Sequence, residues 1–243
     1  MREKNPQLDI FFEADPGLKE KFNKANFRVS ILGGKGGADI ARELGKNLTK
    51  DFYTIQTGGY DFEVMKAGLE GANEAIDEMS KNPETKKILD QVYPYPKGIV
   101  IQDIFADKVI QGNHIQTQKE EGELAAYKRL GKLNEHASAV IILPGGIGTE
   151  IELMTNLHFN KEINQRVNLP SKPLIFIGNS HLEMVQKKFG EVVNKSQDVY
   201  LVSTPAEAKH LVDLLEQIQN SEEKDKSGRA CTETDKYLLK FKG

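Results

Sequence analysis

The residues best suited to chemistry lie in Pro144-Gly145-Gly146-Ile147-Gly148-Thr149-Glu150-Ile151-Glu152. Three glycines within four residues let the backbone approach an anion closely and adopt positive φ. Where such a turn opens a helix, the free N–H groups of the first turn and the helix dipole both favour a phosphate. Thr149 can cap the helix or give its hydroxyl to that phosphate. Glu152, three residues on, has two readings. It can close a capping box with Thr149, or it can point its carboxylate into the ligand site.

The elements that must position these residues are legible on either side. Val140 to Leu143 is an apolar run of strand type. After the turn, Ile151, Met154, Leu157 and His158 recur on one helical face, in a helix reaching about Lys161. Two further strand–glycine–helix units come earlier. Phe27 to Leu32 leads into Gly33 and Gly34, with a helix over Ala38 to Lys50. Lys35 in that turn can pair with a phosphate or be a solvated turn lysine. Tyr53 to Thr57 leads into Gly58 and Gly59, with a helix over about Phe62 to Met79. The central turn is not a P-loop, because no Gly-Lys-Ser/Thr follows its glycines, and it lacks the G-x-G-x-x-G spacing of a dinucleotide fingerprint.

Pro-Gly-Gly-x-Gly-Thr-x-x-Glu is the signature of the LONELY GUY (LOG) family, often mislabelled "lysine decarboxylase". Pro144, Gly145, Gly146, Gly148, Thr149 and Glu152 match its fixed positions. Thr57, Gly58, Gly59, Met65, Ala67, Gly71 and Ala72 match a second family pattern, from which Tyr60-Asp61-Phe62-Glu63 departs. Arg129 lies fifteen residues before Pro144, where the family carries an arginine. The resemblance covers roughly residues 27–218. It implies hydrolysis of the N-glycosidic bond of a nucleoside 5′-monophosphate, such as AMP or a cytokinin-type nucleotide, to free base and ribose 5-phosphate. It assigns Glu152 and Arg129 as the catalytic pair. It places the nucleotide on Gly33, Gly34, Gly58, Gly59, Gly145, Gly146, Gly148 and Thr149, in a homodimer whose interface elements include the Arg129 helix and the one after Glu152. No metal or redox cofactor is implied. Tyr60 and Glu63 put the substrate in question and favour an alternative: a non-catalytic nucleotide or nucleotide-cofactor binding protein of the same fold, as a molybdenum-cofactor carrier is. An amino-acid decarboxylase finds no pyridoxal-lysine context.

Alternating strands and helices predict an α/β protein with a doubly wound, mostly parallel, Rossmann-like sheet of LOG type and helices on both faces. The three glycine turns should then share one sheet end, where such folds bind ligands. The expected organisation is an N-terminal arm and short helix (1–26), one nucleotide-binding domain (27–219) and a charged tail (220–243), with 220–236 disordered. Lys81 to Pro96 reads as helix end and loop, and a short edge strand is expected near Val109-Ile110. A strand is read at Gly98 to Gln102. Helices are read at Glu120 to Glu135, with Leu124, Tyr127, Leu130, Leu133 and Asn134 at helical spacing, and at Leu182 to Val193. Strands are read at Leu174 to Ile177 and Val199 to Val202. Thr204-Pro205-Ala206-Glu207 starts a last helix with a capping box. The apolar end Tyr237 to Phe241 is expected to dock on a partner or neighbouring subunit.

Composition narrows the class. A 243-residue chain with 38% hydrophobic residues can bury a full core. A net charge of -3 argues against a nucleic-acid surface over the whole chain. No apolar run approaches a membrane span of about 20 residues, and the N-terminus lacks a signal-peptide core. The single Cys231 excludes an internal disulfide and fits a cytoplasmic setting. The five histidines show no metal-ligand spacing.

Overall fold

The computed structural model describes residues 16–135, 137–164, 171–195, 198–220 and 233–241. Seven strands form one sheet: β1 (Arg28–Leu32), β2 (Thr54–Thr57), β3 (Lys97–Ile101), β4 (Gln116–Glu120), β5 (Ala139–Ile142), β6 (Leu174–Ile177) and β7 (Val199–Val202). Their spatial order is β4-β3-β2-β1-β5-β6-β7, and every neighbouring pair is parallel. The direction of winding therefore reverses between β1 and β5. The crevice of such a sheet opens at that switch point, beyond the carboxyl ends of the two strands.

Eight α-helices accompany the strands among the described residues: α1 (Pro16–Asn26), α2 (Ala38–Lys50), α3 (Glu63–Met79), α4 (Pro83–Val92), α5 (Ala125–Glu135), α6 (Ile147–His158), α7 (Leu182–Lys195) and α8 (Pro205–Asn220). Strands β1 and β5 bury apolar residues on both faces, as a covered parallel sheet requires. Val29, Ile31, Ile141 and Leu143 face one core with α2, α3 and α8. Leu32, Val140, Ile142 and Phe176 face the other with α5, α6 and α7. Thr204 caps α8 as its residues suggest, but the reciprocal bond of the box falls one residue earlier, on Ser203. The Glu207 N–H donates to Thr204 Oγ1 at 3.1 Å, and the Glu207 carboxylate accepts from the Ser203 N–H at 2.7 Å.

Four expectations change. Residues 83–92 are helical, not loop. Asn82 caps this helix by accepting from the Glu84 and Thr85 N–H groups, and Pro83 sits at its first position, where a proline starts a helix rather than ending one. The edge strand is Gln116–Glu120, and Val109 makes only an isolated bridge to Tyr60. Its sequence, Gln-Thr-Gln-Lys-Glu, is polar throughout, as suits an exposed edge but not a periodicity search. The helix read from Glu120 begins at Ala125, and of its spaced residues Leu133 and Asn134 are buried whereas Leu124 and Tyr127 are exposed. Finally, the apolar end docks on its own sheet. The Leu201 N–H donates to Tyr237 O, the Leu239 N–H donates to Val199 O, and Leu239 is buried against the β7 edge. Residues 221–232 of the expected disordered tail lie outside the described residues, as do residues 1–15 of the arm.

Candidate nucleotide site

The first two layers of the site are backbone. The turns after β1 and β5 touch each other, the Gly34 N–H donating to Pro144 O at 2.8 Å. Gly146, the residue before the first turn of α6, and Gly148 both face open space. The leading N–H groups of a helix have no intrahelical partner, so the start of α6 offers donors to the cavity. Gly33, Gly34, Lys35, Gly145, Gly146, Gly148 and Thr149 all line that cavity, whose volume is about 720 Å³.

Arg129 and Glu152 face each other across it. Arg129 Nη1 lies 3.6 Å from Glu152 Oε1, and the side chains are only 14% and 7% exposed. The guanidinium is held on two further sides. Its Nε–H donates to Ile99 O at 2.8 Å and its Nη2–H to Gly58 O at 3.3 Å. The Tyr60 ring lies beside it, 5.4 Å from the guanidinium carbon. One turn further along α5, the helix is pinned to the sheet. Ser30 Oγ donates to Leu133 O at 2.7 Å, and the Gln56 amide donates to both Leu133 O and Ser30 Oγ. Burial pushes the Glu152 carboxyl up to about 7, and the Arg129 charge opposes that rise.

Thr149 and Glu152 do not form the capping box. The residue at the cap position is Gly146, so Thr149 already stands within the helix, and the Glu152 carboxylate turns to Arg129. The inward face of α6 is Thr149, Glu152, Leu153, Asn156 and Leu157, whereas Ile151 and Met154 are exposed. The apolar residues misled the periodicity reading because the buried stripe is polar where it meets the cavity. Gly58 and Gly59 are not among the lining residues. Gly58 stands behind Arg129, where a Cβ would lie 2.2 Å from Nη2, so the absence of a side chain is what lets the guanidinium settle. Gly59 is closed off by Gly98 and by its own carbonyl, which accepts from the Ile110 N–H.

An aromatic wall completes the cavity. Tyr60, Phe62 and Phe105 meet edge-on or tilted, with centroids 5.6 to 6.0 Å apart. Tyr60 is fixed through its hydroxyl, which accepts from the Ile101 N–H at 2.7 Å. Ile101, Ile104 and Phe105 were not singled out from sequence. Phe105 has φ 49, a left-handed conformation rare for a bulky residue, and no periodicity marks it.

Residues 97–221 match the model of a family described as "possible lysine decarboxylase". The chain belongs to this family, the LOG family. The match spans Arg129, the Pro144–Glu152 stretch and strands β3 to β7. It begins after the altered turn at Tyr60 to Glu63. No curated protein matches the chain. Among solved structures, it is similar to the molybdenum cofactor binding protein from the phototrophic bacterium Rippkaea orientalis, with 20% identity and a TM-score of 0.52, over 76% of this chain and 93% of that one. It is similar also to the molybdenum cofactor carrier protein from Chlamydomonas reinhardtii, with 16% identity and a TM-score of 0.51, over 77% and 96%. At these identities the likeness is one of fold. Among the described residues of this LOG-family chain, no group of three His, Cys, Asp or Glu could hold a metal, and no helix is long and apolar enough to cross a membrane.

Proposed function

We propose that this protein is a phosphoribohydrolase of nucleoside 5′-monophosphates. The observation that carries the reading is the buried Arg129–Glu152 pair at 3.6 Å beside the open N-terminus of α6. The 5′-phosphate rests on Gly145, Gly146, Gly148 and Thr149, where helix amides and the dipole favour an anion. Cleaving the N-glycosidic bond builds positive charge on the ribose, as in glycoside hydrolysis. The Glu152 carboxylate stabilises that charge and orients the attacking water. Arg129 holds the ligand and steadies the departing base. A carboxyl near 7 can change protonation at working pH, as acid–base groups do. The chain acts as a homodimer through the exposed apolar residues of α5 and α6, among them Tyr127, Ile147 and Ile151, with Leu124 just before α5.

One feature favours a second reading, in which the site binds a nucleotide or nucleotide-like cofactor without turnover. Tyr60 and Phe62 stand in the turn where the family pattern has glycines, and with Phe105 they present an apolar wall to the cavity. The separating experiment is incubation with AMP and related monophosphates, followed by chromatography of free base. Release of base supports the hydrolase. Tight binding without release sinks it in favour of the carrier reading.

A further inference from the structure

The altered turn does more than add aromatic rings. Glu63 is the first residue of α3, and a carboxylate there ordinarily serves the N-terminus of its own helix. Here it reaches across to another turn. The Gly36 N–H, in the glycine turn after β1, donates to Glu63 Oε2 at 2.8 Å. Gly36 has φ 86, so its N–H direction is set by a left-handed backbone that glycine adopts freely. The turn that carries Glu63 is fixed on both sides. The Val64 N–H donates to Gly34 O at 3.3 Å, the Phe62 N–H donates to Tyr60 O at 2.7 Å, and Asp61 pairs with Lys66 at 2.9 Å.

We infer that Glu63 is a specificity-determining residue of this cavity: its carboxylate fills the anion position of the β1 turn and limits the ligand to a single phosphate group. The inference rests on the phosphate reading above. The β1 and β5 turns touch at Gly34 and Pro144. A phosphate seated at the start of α6 therefore has the β1 turn as its neighbour, and a second phosphate joined to the first must lie against that turn. Lys35 at the cavity rim would welcome it. Glu63 does the reverse. It occupies the Gly36 donor and sets a negative charge against the incoming group, and like charges brought together in a site cost affinity steeply. A nucleoside diphosphate or a dinucleotide is thereby excluded, although the chain has the glycine turn that such ligands use.

The test is calorimetric titration of wild type, Glu63→Gln and Glu63→Ala with AMP and with ADP. Wild type should prefer AMP by about tenfold or more, and Glu63→Ala should narrow that ratio by about tenfold, since both the charge and the occupied donor are gone. Glu63→Gln keeps the shape and still accepts from Gly36, so its ratio should fall between the two. This keeps the test usable if the alanine variant melts early. An AMP-to-ADP ratio that is the same in all three proteins overturns the inference. Free base is measured in the same samples. A shifted ratio without base release refutes the hydrolase and leaves the selectivity intact. Base release with an unshifted ratio does the opposite. Failure to bind either nucleotide at millimolar concentration refutes both.

Discussion

Arg129 Nη1 and Glu152 Oε1 lie 3.6 Å apart, brought together from the middle of α5 and the middle of α6. Arg129 is tied to the carbonyls of Ile99 and Gly58, which hold its charge opposite Glu152. Burial raises the Glu152 carboxyl to about 7, and the arginine limits that rise. The pair therefore holds a carboxylate that is costly to charge in a place where charge is useful, a pattern typical of sites tuned for reaction.

That cost should be visible in stability. A carboxyl whose folded pKa lies above its unfolded value binds more protons when folded. Its contribution is fully present below the unfolded value, about 4.3, and is lost as pH rises through about 7. A shift of this size corresponds to on the order of 3 kcal/mol between those limits. Glu152→Gln removes the titration. Urea denaturation from about pH 5 to 8 should show wild type losing stability relative to Glu152→Gln as pH rises. A difference that stays constant across the range would mean that Glu152 titrates normally.

A stability prediction independent of the site concerns α2 and α3. A Cβ on Gly45 would lie 2.1 Å from Gly68 O, and one on Gly71 would lie 2.1 Å from Arg42 O. The two helices cross backbone to backbone, and neither contact can be relieved by turning a side chain. Gly45→Ala should destabilise by about 1–3 kcal/mol despite the better helix propensity of alanine. A melting temperature at or above that of wild type would show that the helices can part without cost.

Much of this architecture was written in local pattern. The three strand–glycine–helix units read directly, because apolar runs and glycines are short-range signals, and β6, β7 and the α2 boundaries were read as found. Arg129 and Glu152 were singled out only through the family resemblance. Nothing in their spacing says that two residues 23 apart will meet. What stayed hidden depends on contacts distant in sequence. The polar strand β4 exists because β3 offers an edge, and Phe105 reaches the cavity through a left-handed residue in a loop. The buried stripe of α6 includes Thr149, Glu152 and Asn156, so hydrophobicity pointed to the wrong face.

The C-terminal segment should be part of the folded unit. Tyr237 and Leu239 hydrogen-bond to the β7 edge, and Leu239 is 6% exposed in the same core as Val199 and Phe176. Leu239→Ala should cost about 2–3 kcal/mol, in the range of buried leucine truncations. Urea denaturation is the measurement. A loss below about 0.5 kcal/mol, the usual scale of surface substitutions, would place the segment outside the cooperative fold.

The proposed homodimer makes its own demand. Tyr127 is 74% exposed on α5 and Ile147 is 78% exposed on α6, large apolar surfaces for a monomer to show. Tyr127→Glu should convert a dimer to a monomer in light scattering at micromolar concentration while the far-ultraviolet circular dichroism is retained. A wild-type protein that is already monomeric there would refute the assembly.

Catalysis brings the most demanding prediction, because two roles for Glu152 give opposite results. If its carboxylate stabilises the developing ribosyl cation, Glu152→Gln keeps the size and loses the charge. Turnover should then fall about a hundredfold or more. KM should change little, since the charge matters mainly in the transition state. Arg129→Ala should also abolish turnover and weaken binding as well, because the guanidinium lines the cavity. The pH profile follows from the same group. The carboxylate is the active form, so kcat/KM should rise about tenfold per pH unit below about 7 and level off above it. Glu152→Gln should lose that rising limb along with the rate. A glutamate serving only to pack α6 would leave both the rate and the profile of the glutamine variant close to wild type. Initial rates of base release from AMP, measured across about pH 5 to 9 for wild type and both variants, decide between the two roles.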